Sequence, residues 1–150
     1  MINETPSGSE MSGVPTPGVS PAFELLIERS PIIDVGQLGI GGRRTFRPVS
    51  GGWFRGGTIS ALVTGGGEML FQRQAGPSVV EASYYIMASG GASARLFGNG
   101  YEGLSKGFDG LRLSLLIEAD EQGPLAHLTQ TAFVAEQVSG SNVLTIFRII

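Results

Sequence analysis

The sequence predicts an all-β protein that closes into a small antiparallel barrel. Twenty-four of its 150 residues are glycine, in a chain too apolar to be a flexible linker. Glycine at this density marks tight turns, bulges and close backbone approach. About eight or nine short strand patterns follow one another at roughly ten-residue spacing, which is typical of a sandwich or a barrel. Because no strand is protected as an edge by lysine or proline, closure into a barrel is favoured.

The first half of the chain alternates extended segments with glycine turns. Residues 1–20 are rich in Ser, Gly, Pro and Thr and predict a flexible tail, so a single domain is expected over residues 21–150. Ala22–Arg29 fits a strand or a short helix, and its context favours a strand. Extended segments are then predicted at Pro31–Ile40, Thr45–Val49, Thr58–Thr64 and Glu68–Gln74, with turns at Gly41–Gly42, Gly51–Gly52 and Gly65–Gly67.

The second half continues the same pattern with one long polar interruption. Leu111–Ala119 alternates polar with apolar residues at a period of two, which indicates a half-buried strand. Tyr101–Gly110 is polar and contains glycine, and it predicts a loop. The remaining predicted strands are Val79–Ala88, Ser93–Asn99, Ala126–Glu136 and Val143–Ile150.

Composition excludes several classes of function. The formal charge is −3 and no basic stripe is present, so we expect no nucleic-acid partner. The chain has no cysteine, a single histidine and no spacing typical of calcium loops, and no metal site is predicted. Gly65–Gly67 lacks the Lys-Ser/Thr of a phosphate loop, so no cofactor is expected. Without a signal peptide or a long apolar run, a cytoplasmic protein with no membrane partner is the expectation.

Five short segments carry a resemblance to a known family. They are Arg44 through Pro48-Val49-Ser50-Gly51-Gly52, Thr64-Gly65-Gly66-Gly67-Glu68-Met69, Val80-Glu81-Ala82-Ser83-Tyr84, Ile117-Glu118-Ala119 and Phe133-Val134-Ala135. In order and spacing, from Phe23 to Ile150, the chain resembles the bacterial and fungal domain-of-unknown-function 3237 family. The resemblance implies a closed antiparallel barrel of the lipocalin or allene-oxide-cyclase kind, and it implies no established chemistry.

The chain departs from the family pattern at several polar positions. Glu68 stands where the family has Asp, Met69 replaces a Trp, and Ser83 replaces an Arg. The family's Trp-Leu-Asn is His127-Leu128-Thr129. If these positions line the lumen, the pocket of this chain is more apolar than that of its relatives.

Three glutamates and the histidine are the candidate catalytic residues. Glu68, Glu81 or Glu118 inside the lumen would have its pKa raised by desolvation, which suits a general acid or base near neutral pH. Period two puts Glu81 on one strand face with Ser83, but it does not say whether that face is the lumen or the solvated outside. His127 either shares the acid–base role or packs like the aromatic residue of the matching family position.

The candidate substrate-binding residues are one arginine and several large side chains. Arg44 offers a planar fork for a ligand carboxylate or enolate, or else a structural salt bridge to a strand glutamate. Tyrosines offer phenolic donors, and the other large side chains shape a cavity or simply fill the core. The set is Arg44, Trp53, Tyr85, Met87 and Tyr101.

The leading functional hypothesis is a cofactor-independent enzyme of cyclase, isomerase or lyase type. It would fold an apolar, polyketide-like substrate in the barrel lumen, as holding a chain in a near-attack geometry lowers a barrier by several kcal/mol. One alternative is a non-catalytic binding protein for an apolar metabolite. Another is a filled barrel that serves as an interaction module. A homodimer is expected, because small barrels often bury an apolar outer face in this way.

Overall fold

The structure is a computed structural model and describes residues 13–150. It contains nine strands and one short 3-10 helix. The strands are β1 (Val19–Arg29), β2 (Ile33–Gln37), β3 (Arg43–Gly56), β4 (Ile59–Gln72), β5 (Ser78–Ala88), β6 (Ser93–Ser105), β7 (Phe108–Ala119), β8 (Phe133–Val138) and β9 (Val143–Ile149), and the 3-10 helix spans Ala126–Gln130.

The sheet closes into an eight-stranded antiparallel barrel, which confirms the predicted fold class. Each strand from β3 to β9 pairs with the next, and β1 closes the ring by pairing with both β9 and β3. The short β2 lies outside the ring and pairs with the first part of β3, from Arg43 to Phe46.

The middle of the barrel is filled by side chains. All eight strands of the ring contribute buried apolar residues, and the rings of Phe23 and Phe54 stack with their centroids 4.6 Å apart. An eight-stranded barrel has an interior just wide enough for such packing or for one small ligand. Burial is strictly alternate along β5, where Val80, Ala82, Tyr84 and Ile86 point inward.

Two predicted turns are in fact the middles of long strands. Gly65–Gly67 lies inside β4, and Gly51–Gly52 lies inside β3. Gly66 has a φ of +130°, and a Cβ there would lie 2.2 Å from the carbonyl oxygen of Ser83. Glycine is therefore needed where β4 passes close to β5, next to a shift in register between Val63 and Gly65.

Other predicted boundaries are also corrected. The loop predicted at Tyr101–Gly110 is wrong, because β6 runs to Ser105 and β7 starts at Phe108. The strand predicted at Ala126–Glu136 is wrong in its first half, which forms the 3-10 helix, closed by a hydrogen bond of 2.7 Å from Thr129 Oγ1 to the carbonyl oxygen of Ala126. The extended segment predicted at Pro31–Ile40 is a strand only over β2.

The predicted tail falls largely on residues 1–12, which lie outside the described residues. Within the described part, β1 begins at Val19, and the amide and carbonyl groups of Gly18 and Ile150 exchange two hydrogen bonds of 3.1 and 3.0 Å. No helix within residues 13–150 is long and apolar enough to cross a membrane.

Candidate functional site

The outer face of the barrel carries a wide groove. It runs across β4, β5, β6 and β7 and has a volume of about 770 Å³. Apolar walls come from Phe46, Met69, Phe97 and Leu116, and the polar groups come mainly from β5 and β6. Ligand pockets typically measure about 300–1,000 Å³ and combine apolar walls with a few polar groups, so this groove is of the right size and kind.

Glycine makes this concavity possible. Gly66 and Gly67 of β4 line the groove. A Cβ at Gly67 would lie 2.3 Å from Cζ of Phe46, so the missing side chain lets the Phe46 ring lie across β4 as a wall. Gly65–Gly67, which the sequence predicted to be a turn, therefore makes the groove deeper.

Arg95 of β6 supplies a positive charge to the groove, and neighbouring residues hold its side chain in place. Its Nη1 donates to Oε1 of Glu118 at 3.0 Å, and its Nη2 donates to Oγ of Ser83 at 3.0 Å. Its guanidinium carbon lies 4.3 Å from the ring centroid of Phe97. An arginine held by a carboxylate, a hydroxyl and an aromatic face keeps its planar fork in one orientation.

Two of the predicted site residues line this groove with Arg95. Glu81 and Tyr85 lie on the outer face of β5, on either side of Ser83. Among residues 13–150, the carboxylate of Glu81 takes part in no ion pair. Glu118 belongs to the site indirectly, since its carboxylate holds Arg95. Glu81 and Glu118 face outward, so neither is a lumen carboxylate.

Glu68 is the carboxylate that does face the lumen. Its side chain has no solvent-exposed area and accepts hydrogen bonds from Arg29 Nε at 2.7 Å, Arg29 Nη2 at 2.9 Å and Arg47 Nε at 2.9 Å. The hydroxyl of Tyr84, also fully buried, donates to Oε2 of Glu68. Within the described residues, every buried side-chain nitrogen and oxygen has a hydrogen-bond partner.

The electrostatics of Glu68 correct the expected pKa shift. Burial raises the pKa of its carboxyl, but the hydrogen bond from Arg29 and the charges of Arg47 and Arg29 outweigh burial, and the pKa lies below the ordinary value. The prediction of a raised pKa for a lumen carboxylate is therefore wrong for Glu68, which stays ionised near neutral pH. Burial and the neighbouring negative charge of Glu68 raise the pKa of Tyr84 well above its usual value, so its hydroxyl stays a donor.

The same network reaches solvent at one end of the barrel. Arg47 Nη1 and Nη2 donate to Oε2 and Oε1 of Glu102 at 2.8 and 2.5 Å, and Arg29 Nη2 donates to Oε1 of Gln137 at 2.8 Å. These residues line a cleft of about 250 Å³ at the barrel mouth. The charges of Arg29 and Arg47 are balanced by those of Glu68 and Glu102, so the ions of this network pair with one another.

The remaining predicted site residues are scattered over the outside of the barrel. Arg44 lies over the ring of Phe71, with 5.3 Å between guanidinium carbon and ring centroid, and Trp53 lies beneath Arg55 at 3.5 Å. His127 is in the 3-10 helix. Met87 and Tyr101 are exposed, on β5 and β6. The structure does not bring these five residues together with Glu81.

Sequence reasoning missed Arg29, Arg47, Arg95 and Glu102. A signal existed for two of them. Arg29 continues the inward series Phe23, Leu25 and Ile27 at a period of two, and Arg47 precedes the inward Val49 by the same step. Arg95 carried no such signal, because its partner Glu118 is adjacent only through the pairing of β6 with β7.

Fold and grooves together define a class, that of small closed antiparallel β-barrels with a side-chain-filled lumen. The chain belongs to the family described as "Protein of unknown function (DUF3237)", whose family model matches residues 17–110. The family model ends at residue 110, near the start of β7, whereas the resemblance found in the sequence extends to Ile150. No curated protein matches this chain in sequence.

Solved structures share the fold at low sequence identity. A protein of unknown function from Rhodopseudomonas palustris is 22% identical with a TM-score of 0.77, covering 91% of this chain and 100% of its own. A β-barrel-like protein from Acinetobacter baumannii is 18% identical with a TM-score of 0.77, covering 93% and 99%. A protein from Penicillium herquei described as an enzyme is 17% identical with a TM-score of 0.74, covering 93% and 99%.

Proposed function

We propose that this protein is a small-molecule enzyme of cyclase, isomerase or lyase type, and that its substrate is a largely apolar carbon skeleton bound in the outer groove. The observation that carries the proposal is the placement of Arg95, held by Glu118 and Ser83, on the strand next to that of Glu81, whose carboxylate takes part in no ion pair within residues 13–150. The groove replaces the lumen as the substrate site, since packed side chains fill the lumen.

The three reaction types share one first step that these residues suit. Arg95 donates to a substrate carbonyl oxygen while the Glu81 carboxylate takes a proton from the adjacent carbon. The electron pair of the broken C–H bond moves toward the oxygen, and the resulting enolate is stabilised by the guanidinium. Returning the proton to another carbon is an isomerisation, loss of a neighbouring leaving group is an elimination, and attack on a second carbon centre is a cyclisation.

Apolar walls supply the remainder of the binding. Met69, Phe97 and Leu116 would cover the hydrocarbon part of the substrate, and each fully buried side chain of this size contributes roughly 1.5–3 kcal/mol. Tyr85 adds a phenolic donor at the same groove. The Penicillium herquei structure described as an enzyme supports catalysis through analogy of fold.

Proton exchange tests the proposal without knowledge of the substrate. Small ketones and keto esters with apolar tails are incubated with the protein in D2O, and loss of the proton next to the carbonyl is followed by NMR. We expect exchange with the wild-type protein, and at least a hundredfold slower exchange with Glu81→Gln, in line with the roughly 10²–10⁴-fold effect of a general base. Glu24→Gln, an exposed glutamate of β1 outside the groove, is the matched control.

Each outcome has a distinct meaning. Compounds that bind and lose affinity in Arg95→Gln, without any proton exchange, would support the alternative of a non-catalytic binding protein. Exchange that survives Glu81→Gln would exclude Glu81 as the base. Protein that neither binds nor exchanges any compound would overturn the groove as a small-molecule site.

A further inference from the structure

A second depression, away from the outer groove described above, lies beside the hairpin between β6 and β7. It is formed by the β4–β5 connection and the tips of β6 and β7, and its volume is about 430 Å³. Pro77, Tyr101 and Phe108 provide apolar surface, and Arg73, Lys106 and Arg112 provide three positive charges. None of the described residues that line it is acidic.

The positive charges are incompletely neutralised by the protein itself. Arg73 donates through Nε and Nη2 to the carbonyl oxygen of Pro77, at 3.2 and 2.9 Å, so its partner is neutral. Lys106 takes part in no ion pair within residues 13–150. Arg112 alone has an acidic partner, through a hydrogen bond of 2.8 Å from Nε to Glu136 Oε2. This excess of positive charge is local, because the whole chain has a formal charge of −3.

Two of the cations lie over aromatic rings. The guanidinium carbon of Arg112 lies 3.8 Å from the centroid of Phe108, and that of Arg73 lies 5.5 Å from the centroid of Tyr101. Stacking of this kind orients a guanidinium group and leaves part of its N–H edge for a ligand. Planar N–H edges match the geometry of a carboxylate, which is itself planar.

Lys106 occupies a constrained position at the hairpin tip. Its φ is +45°, which makes it the one non-glycine residue with positive φ among those described. A left-handed backbone at a residue other than glycine or asparagine is uncommon and carries a cost. Lys106 lines the depression, and its neighbour Gly107 also has a positive φ, of 83°.

We propose that this depression binds a small aromatic carboxylate. The charged group would lie among Arg73, Lys106 and Arg112, and the ring would lie against Tyr101, Phe108 and Pro77. The combination of three cations with apolar walls selects an anion over a neutral molecule and a flat apolar anion over an inorganic one. The site is separate from Glu81 and Arg95, so it stands or falls independently of the proposed enzyme activity.

Calorimetric titration with benzoate and with benzamide tests the proposal. The two probes share shape and ring, and only benzoate carries a charge. We expect benzoate to bind at least tenfold more tightly than benzamide, with an affinity that falls as salt is raised. Equal binding of the two probes, or no benzoate binding at millimolar concentration, would overturn the proposal.

Two variants locate the binding. Lys106→Asn removes the charge while retaining a residue that tolerates a left-handed backbone, and it should weaken benzoate binding about tenfold, as expected for loss of one charge-assisted contact. Arg55→Gln is the matched control, because Arg55 also stacks on an aromatic ring, that of Trp53, but lies outside the depression. Equal weakening by both variants would show a general effect of charge and would refute the site.

Discussion

Arg29 holds Glu68 through two parallel hydrogen bonds inside the barrel, from Nε to Oε1 at 2.7 Å and from Nη2 to Oε2 at 2.9 Å. The pair joins β1 to β4, which are not neighbours in the ring. Arg47 and Tyr84 add further hydrogen bonds to the same carboxylate from β3 and β5. Four strands therefore converge on one buried carboxylate.

We predict that Glu68→Gln strongly destabilises the fold. The substitution leaves the largely buried Arg29 without a counter-charge and leaves Arg47 paired with Glu102 alone. Removing one partner of a buried ion pair costs about 3–5 kcal/mol. Urea unfolding at neutral pH, followed by circular dichroism, measures the loss. Asp34→Asn is the control, since Asp34 pairs with Arg43 in the same two-bonded way but at the solvent-exposed surface. Comparable losses in both variants would contradict a special role for the buried carboxylate.

Acid should unfold the wild-type protein through the same carboxylate. The pKa of Glu68 is below its ordinary value in the folded state, so its stabilising contribution is complete above the unfolded-state pKa of about 4.3. That contribution is lost as the pH falls through the lower pKa of the folded state. The free energy of unfolding of Glu68→Gln should therefore depend less on pH in this acid range than that of the wild type. Parallel pH profiles would contradict the assignment.

Tyr84 gives a prediction at the opposite end of the pH scale. Its pKa is raised, chiefly by burial and then by the charge of Glu68, so its hydroxyl should stay protonated above pH about 10, where an ordinary tyrosine ionises. Its contribution to stability is complete below that pH and is lost as the pH rises through the folded-state pKa. Absorbance at alkaline pH should show one tyrosine ionising only on unfolding, and Tyr84→Phe should remove that late step. A late step that persists in Tyr84→Phe would refute this.

Alternation along the strands explains why the barrel could be predicted from sequence. A period of two placed Glu81 with Ser83 on one face of β5, and this grouping holds in the structure. The period of two does not tell which face of the strand points into the barrel, because buried and solvated positions alternate in the same way whichever face is inside. Apolar neighbours decide it: Val80 and Ile86 are buried, so Glu81 is outside.

Glycine accounts for the predicted turns that lie inside strands in the structure. Gly65–Gly67 reads as a turn, but in a strongly curved sheet glycine also allows one strand to pass close to the next. Which of the two occurs depends on the partner strand, here β5, whose residues are distant in sequence. The Arg95–Glu118 contact likewise depends on the register between β6 and β7, which no local pattern specifies.

The three consecutive glycines of β4 allow a graded test of this explanation. Gly66→Ala puts a Cβ 2.2 Å from the Ser83 carbonyl at a φ of +130°, and it should destabilise by at least about 2 kcal/mol. Gly65→Ala is the matched control, as the nearest atom to its Cβ is 4.0 Å away. Urea unfolding midpoints compare the two. Equal midpoints would show that β4 does not pass close to β5 at Gly66.

Gly67→Ala should act on the groove more than on the fold. Its added Cβ would lie 2.3 Å from Cζ of Phe46, whose ring can rotate away, and 3.3 Å from the carbonyl oxygen of Arg47, where a shift of a few tenths of an ångström relieves the contact. We expect a small change in unfolding midpoint and a weaker affinity for any ligand of the outer groove, because the Phe46 wall is displaced. Calorimetric titration with a ligand found in the proton-exchange screen measures this. Unchanged affinity would place that ligand elsewhere.

The outer face of the barrel leads to a prediction about assembly. Leu62 and Met87 are opposite each other on β4 and β5 and are 63% and 40% exposed, although both are large and apolar. A two-fold axis through such a patch would cover it with its own copy, as in most homodimers. We expect a dimer in sedimentation velocity at micromolar concentration, and a monomer for Leu62→Glu. Ser60→Glu, an exposed polar position on the same strand face, should remain dimeric. A monomeric wild-type protein would refute the dimer. If both variants are monomeric, the added charge on this strand, and not the loss of the Leu62 contact, disrupts assembly.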